Sequence, residues 1–351
     1  PAKLSGNSFV QATEKPTEDG TRKGVSKLRR WLRRLFLGSL GLSVGLYIVL
    51  LLTFQISKHR LLRNLESGSA VFESELGPIE YAVKGDGPVV LYLHGTPGGY
   101  SDGLQHTAYA ESGFQVLSPS RPGYLRTPIT LGRSPAEQAD ALALLLEGLD
   151  IQQVAVVGHS GGGPFAVELA KRHPTRVGCL VLYSALLGPD ARADASDASN
   201  VPIVDRCFGS GFAEWCMFSL VQTYPKLFVD SGFPTEDERR RFLKDESKLD
   251  RVIDGMWNSF PASTRRDGYV NDSGQFKMLD LGNLQEIQAP TLVIHGTEDP
   301  ACPFKEAESF VAEVPTAKSL WVEGGGHLIY LSHSDDIEPE IIEFISQLLK
   351  Q

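Results

Sequence analysis

Three residues far apart in the chain have the chemistry to make a nucleophile: Ser160, Asp299 and His327. A serine hydroxyl attacks poorly until a base removes its proton. Histidine is the base suited to neutral pH. A carboxylate beside the imidazole fixes its tautomer and stabilises the imidazolium. Ser160 lies in Gly158-His-Ser-Gly-Gly162, a G-x-S-x-G pattern. Alone the pattern is weak, because Gly41-Leu-Ser-Val-Gly45 fits it equally. Context separates the two. Ser160 follows an apolar strand, Val154–Val157, and precedes a helical stretch over Gly163–Lys171, as a nucleophile elbow requires. Ser43 lies inside a long apolar span, where no partner residues are available.

Of the eight histidines, His327 has the context of a base. It ends Gly324-Gly-Gly-His327, on a loop after the last expected strand; His333 is the other candidate. The strand Thr291–His295 runs into a loop bearing Glu298 and Asp299. Asp299 is chosen over Glu298, while Asp190 and Asp280 have no motif around them. The order Ser, Asp, His along the chain fits a known triad arrangement. A tetrahedral oxyanion also needs donors in place before it forms. The loop His94-Gly-Thr-Pro-Gly-Gly99 supplies a candidate. Pro97 has no N–H, so the expected donors are the backbone amides of Thr96 and Gly161.

The elements that must position these residues follow from periodicity. Residues 70–74 and 79–83 alternate apolar and polar, as half-buried strands do. Residues 89–93, 154–157, 177–183 and 290–295 are nearly continuous apolar runs, with shorter strands near 116–117 and 318–322. Helices are expected over 134–149, where Ser134, Pro135 and Glu137 form a capping signature, and over 163–171, 305–312 and 339–349. Apolar strands alternating with helices predict a mostly parallel sheet covered on both faces. Residues 186–288 break the alternation and read as a helical lid. In it Phe208, Phe212, Trp215 and Phe218 form a helical apolar stripe, which serves either lid packing or a substrate pocket. Arg265-Arg-Asp-Gly268 and Asn271-Asp272 read as a hinge or cap, and Cys207 and Cys216 are close enough in sequence to pair in an oxidising compartment. Asn271-Asp-Ser273 is a glycosylation sequon if it faces a eukaryotic lumen.

Together these motifs, with the Ser118-Pro-Ser-Arg-Pro-Gly-Tyr124 loop, make residues 70–351 resemble the α/β-hydrolase superfamily. The resemblance implies an eight-stranded sheet with all but one strand parallel, capped by the lid. It also implies Ser160, Asp299 and His327 as triad, with Thr96 and Gly161 as oxyanion donors. Epoxide-opening and dehalogenating relatives carry Asp at the elbow, so Ser160 argues against both reactions. Proline-releasing peptidases share a similar Gly/Pro-rich loop.

The chain's 34 Lys/Arg and 43 Asp/Glu are unevenly spread. Residues 1–65 hold 12 basic and 3 acidic residues, which leaves the remainder strongly acidic. That field repels polyanions and argues against nucleic acid. Residues 1–21 read as a disordered tail, and 22–60 as a basic flank and single membrane anchor, followed by the hydrolase body over 66–351. From Leu35 to Ser57 there is no charge, a length that crosses a bilayer as a helix. Seven basic residues before the span against three after it predict a cytoplasmic N-terminus and a lumenal or external body. Gly41 and Gly45 add a GxxxG spacing of the kind found at helix dimer faces. The expected activity is cleavage of a small or apolar carboxylic ester with no metal or organic cofactor. A peptidase or amidase would use the same residues, and an inactive fold would serve as a binding module.

Overall fold

The computed structural model describes residues 18–189, 211–233 and 235–349. The chain divides into two compact units, residues 1–56 and 57–351. The first holds most of helix α1 (Glu18–Ser67). Residues 18–21 of the expected tail are helical, and the rest of that tail lies outside the described residues. Leu37, Leu42 and Leu46 are exposed along α1, so this is not a core helix. It is long and apolar enough to cross a membrane.

The second unit is built on eight strands: β1 (Ala70–Ser74), β2 (Gly77–Lys84), β3 (Val89–Leu93), β4 (Gln115–Pro119), β5 (Val154–His159), β6 (Val177–Tyr183), β7 (Thr291–Gly296) and β8 (Ala317–Val322). Their order is β1-β2-β4-β3-β5-β6-β7-β8. β2 is antiparallel to both neighbours, and every other adjacent pair is parallel. This is the sheet that the apolar runs imply.

Alternation along each strand assigns side chains to two cores. Leu91, Leu93, Val156, Leu180, Leu182 and Val293 face α2 (Pro135–Gly148), α3 (Gly163–Arg172) and α8 (Phe304–Glu313). Val90, Tyr92, Ala155, Val157, Val181 and Ile294 face α9 (Ser334–Leu349), which presents Ile337, Ile341 and Ile345 at helical spacing. α2 begins as its sequence requires. The Ser134 hydroxyl accepts from the Glu137 amide, and the Glu137 carboxylate accepts from the Ser134 amide. α9 begins five residues before the expected start, with Asp335 and Asp336 in its first turn and Pro339 inside it. Carboxylates near the helix N-terminus favour that earlier start.

Between β6 and β7 the described residues contain helices and no strand. They include α4 (Phe212–Thr223), α5 (Glu236–Leu243), α6 (Glu246–Asn258) and α7 (Arg266–Phe276). This is the expected lid. Asn271, of the sequon, is half-buried on α7, with its amide donating to Arg133 O at 2.8 Å.

Leu182 is fully buried in the sheet centre. Leu182→Ala is expected to lower unfolding stability by about 2–5 kcal/mol. Denaturant titration of the purified protein checks this.

Candidate active site

β5 delivers Ser160 to the sheet's C-terminal edge. The chain turns there through the 3-10 segment Ser160–Gly162 and enters α3. Ser160 has φ +50°, a left-handed conformation that non-glycine residues seldom adopt. The surrounding backbone holds it there. A Cβ on Gly162 would collide with the Leu93 and His94 carbonyls, and one on Gly158 would lie 2.7 Å from the Ala166 Cβ. The Ser160 carbonyl accepts from Leu186 N at 2.9 Å.

The Gly324–Gly326 loop after β8 brings His327 to the serine. Its Nε2 is 2.9 Å from Ser160 Oγ, and its Nδ1 is 2.8 Å from Asp299 Oδ2. An ionised carboxylate only accepts, so Nδ1 carries the proton and Nε2 is left to accept from the serine hydroxyl. Asp299 Oδ1 is held by the amides of Ala301 (2.7 Å) and Cys302 (2.9 Å). Burial pushes the Asp299 carboxyl up, but the His327 hydrogen bond and charge outweigh it, so Asp299 lies below the ordinary carboxylate range.

The other candidates lie elsewhere. His333 Nδ1 contacts Ser332 Oγ at 2.9 Å. Glu298 and Asp280 are exposed, and Asp190 lies outside the described residues. His159 stacks on His327 with centroids 6.0 Å apart, and burial holds its pKa well below the ordinary value. A neutral His159 puts no positive charge beside the His327 ring.

Thr96 and Gly161 face one another, since a Cβ on Gly161 would strike the Thr96 side chain. Among the described residues, the Thr96 amide donates to no backbone carbonyl. Behind Thr96 stands a buried network whose partners sequence reasoning missed. Arg121 donates to Asp272 Oδ1 (3.2 Å) and Oδ2 (2.7 Å), to His94 O (3.2 Å) and to Gly95 O (3.2 Å). Asp272 Oδ2 also accepts from Thr96 Oγ1 (2.5 Å) and Tyr124 OH (2.6 Å). Arg121 and Tyr124 lie in the noted 118–124 loop, but nothing in the spacing marks Asp272 as their partner. Glu238 on α5 follows Thr235 at capping-box spacing, yet its buried carboxylate turns to the base loop. It accepts from Gly326 N (2.8 Å) and Ser332 Oγ (3.1 Å).

A cavity of about 230 Å³ opens beside Ser160, with Thr96, Asp102, His106, His327 and Tyr330 in its wall. Phe212 and Trp215 are not among its described lining residues and stack on each other at 6.2 Å; Phe208 and Cys207 lie outside the described residues. Phe218 packs against Trp257 and Phe260. Burial lowers the His106 pKa to about 4, and its Nε2 is 3.0 Å from Tyr92 OH. Asp299, Cys302 and His327 place potential metal ligands within 4.8 Å of one another. An ion there would have to break the Asp299–His327 hydrogen bond.

Burial raises the Asp102 carboxyl to about 6, against an opposing pull from Arg265. The folded chain thus holds this proton more tightly than the unfolded chain, whose carboxyl titrates near about 3.9. The associated stability is present below that value and lost as pH rises through about 6. Asp102→Asn is expected to raise Tm by a few degrees at pH 7.5, with the gain vanishing towards pH 4. Thermal scans across that range check it.

A profile of the alpha/beta hydrolase family matches residues 90–340. An uncharacterized hydrolase of Bacillus subtilis is 28% identical over 265 residues, covering 73% of this chain and 90% of that protein. A pimeloyl-[acyl-carrier protein] methyl ester esterase of Aromatoleum aromaticum is 27% identical over 256 residues, covering 71% and 94%. An alpha/beta hydrolase fold protein from Nakamurella multipartita superposes with a TM-score of 0.68 at 26% identity, covering 79% and 98%. The profile spans more than half of the chain, and the chain belongs to the alpha/beta hydrolase family.

Proposed function

We propose that this protein is a serine hydrolase that cleaves small carboxylic esters through an acyl-enzyme on Ser160. The observation that carries the reading is the Ser160–His327–Asp299 hydrogen-bonded chain opening onto a cavity. Ser160 Oγ attacks the ester carbonyl as its proton passes to His327 Nε2. Asp299 stabilises the imidazolium that results. The amides of Thr96 and Gly161 receive the tetrahedral oxyanion. Collapse expels the alcohol, which takes the proton from His327. Water, deprotonated by His327, then hydrolyses the acyl-enzyme and frees Ser160. Ester rather than amide is favoured by the named activity of the Aromatoleum relative.

The cavity is smaller than the roughly 300–1,000 Å³ of drug-sized pockets, which favours short acyl groups. In a panel of esters of graded acyl length beside aminoacyl amides, short esters are expected to give the highest kcat/KM. Ser160→Ala is expected to lower turnover by about 10³-fold or more and to abolish fluorophosphonate labelling. Near-wild-type turnover by that variant, or preference for the amides, overturns the proposal.

The same reading places the enzyme at a membrane. α1 supplies an uncharged span whose apolar side chains are exposed. The basic residues ahead of it put the N-terminus on the cytoplasmic side and the body on the lumenal or external side. In sealed vesicles the body is expected to resist protease added from the cytoplasmic face. Digestion from that face would overturn the orientation.

A further inference from the structure

We infer that Asp272, on the lid, is a positioning residue for the oxyanion donor, acting through Arg121 on the Gly95–Thr96 peptide. This rests on the serine-ester reading above. The Gly95 carbonyl and the Thr96 N–H belong to one planar trans peptide group and point in opposite directions. Whatever holds the carbonyl therefore aims the N–H.

Two donors hold it. Arg121 Nη2 is 3.2 Å from Gly95 O, and His94 Nδ1 is 2.8 Å from it. The His94 tautomer is set by the same loop. Its Nε2 accepts from the Arg121 amide at 3.0 Å, so the ring proton sits on Nδ1 and donates to Gly95 O. Both donors thus depend on where the Arg121 segment sits.

The Arg121 guanidinium is fully buried, with Phe165 across its face at 4.2 Å. Its only carboxylate partner among the described residues is Asp272, 151 positions later on α7. Asp272 takes both terminal nitrogens in a fork and also takes the Thr96 hydroxyl. One lid carboxylate thereby grips the Thr96 side chain directly and the Thr96 amide indirectly. Asp272 is not among the described residues lining the cavity. Its effect belongs in the transition state rather than in substrate binding, because the oxyanion exists only there.

The test uses the full chain in detergent and three readouts: kcat, KM and the affinity of a small alkylboronic acid, which forms a tetrahedral adduct on the serine. Asp272→Asn is expected to lower kcat by about 10- to 100-fold, part of what one lost oxyanion donor costs. KM should change by less than about threefold, while boronate affinity falls in step with kcat. Arg121→Lys keeps the charge but loses the fork that reaches Gly95 O. It should reproduce the kcat loss, and it decides the matter if Asp272→Asn does not fold. Raised KM at unchanged kcat, or wild-type kcat and boronate affinity in Arg121→Lys, overturns the inference. A wild type without ester turnover or fluorophosphonate labelling fails the ester reading instead. An active wild type with unaffected variants fails this inference alone.

Discussion

The buried pair of Arg121 and Asp272 is the interaction on which the loops around Ser160 depend. Neither side chain meets solvent. Burying two charges is costly, and their attraction compensates only when the remaining donors and acceptors are filled. Here they are filled. Arg121 reaches Asp272, Gln138, Thr96 and the carbonyls of His94 and Gly95, while Tyr124 and Thr96 complete Asp272. The pair joins the loop after β3, the loop after β4 and α7. Backbone bonds already tie the loop after β4 to the lid, since Gly268 N on α7 donates to Gly123 O at 2.9 Å and Leu125 N donates to Thr264 O at 2.9 Å. The side chains of Arg121 and Asp272 add the loop after β3 to that pair.

The base side is built on the same plan with different parts. Asp299 orients His327 from the strand side, held by two amides of its own loop. Glu238 secures the Gly326 amide from the lid side. Gly324 has φ +68°, which lets the loop reverse sharply after β8. The loops that carry Ser160, His327 and Thr96 all lie at the C-terminal edge of the parallel strands, where α/β sheets place their ligand crevices.

How much of this the sequence discloses depends on the range of the interaction. The strands are legible because their apolar runs satisfy a local rule at every residue. Ser160 is legible through its flanking strand and helix, which Ser43, inside α1, lacks. His327 and Asp299 are legible because each ends a strand on a loop with distinctive composition. Asp272 is not, because its meaning comes from an arginine 151 residues away, and locally it is one polar residue on a helix. Glu238 is disguised as a routine helix cap. The Phe212–Trp215 stripe is legible in its periodicity but not in its purpose: the two rings stack on each other, as lid packing would have them, and are not in the described wall of the cavity.

Two lid carboxylates, Glu238 on α5 and Asp272 on α7, reach the Gly326 amide and the Arg121 guanidinium respectively. Inserted lids invite treatment as exchangeable parts, because variation concentrates in segments outside the scaffold. This lid is not separable in that way. Replacing it wholesale would strand a buried guanidinium on one side and orphan the Gly326 amide on the other. A lid exchange in this chain would therefore have to bring both carboxylates with it, whereas single changes around the cavity wall leave the two anchors in place.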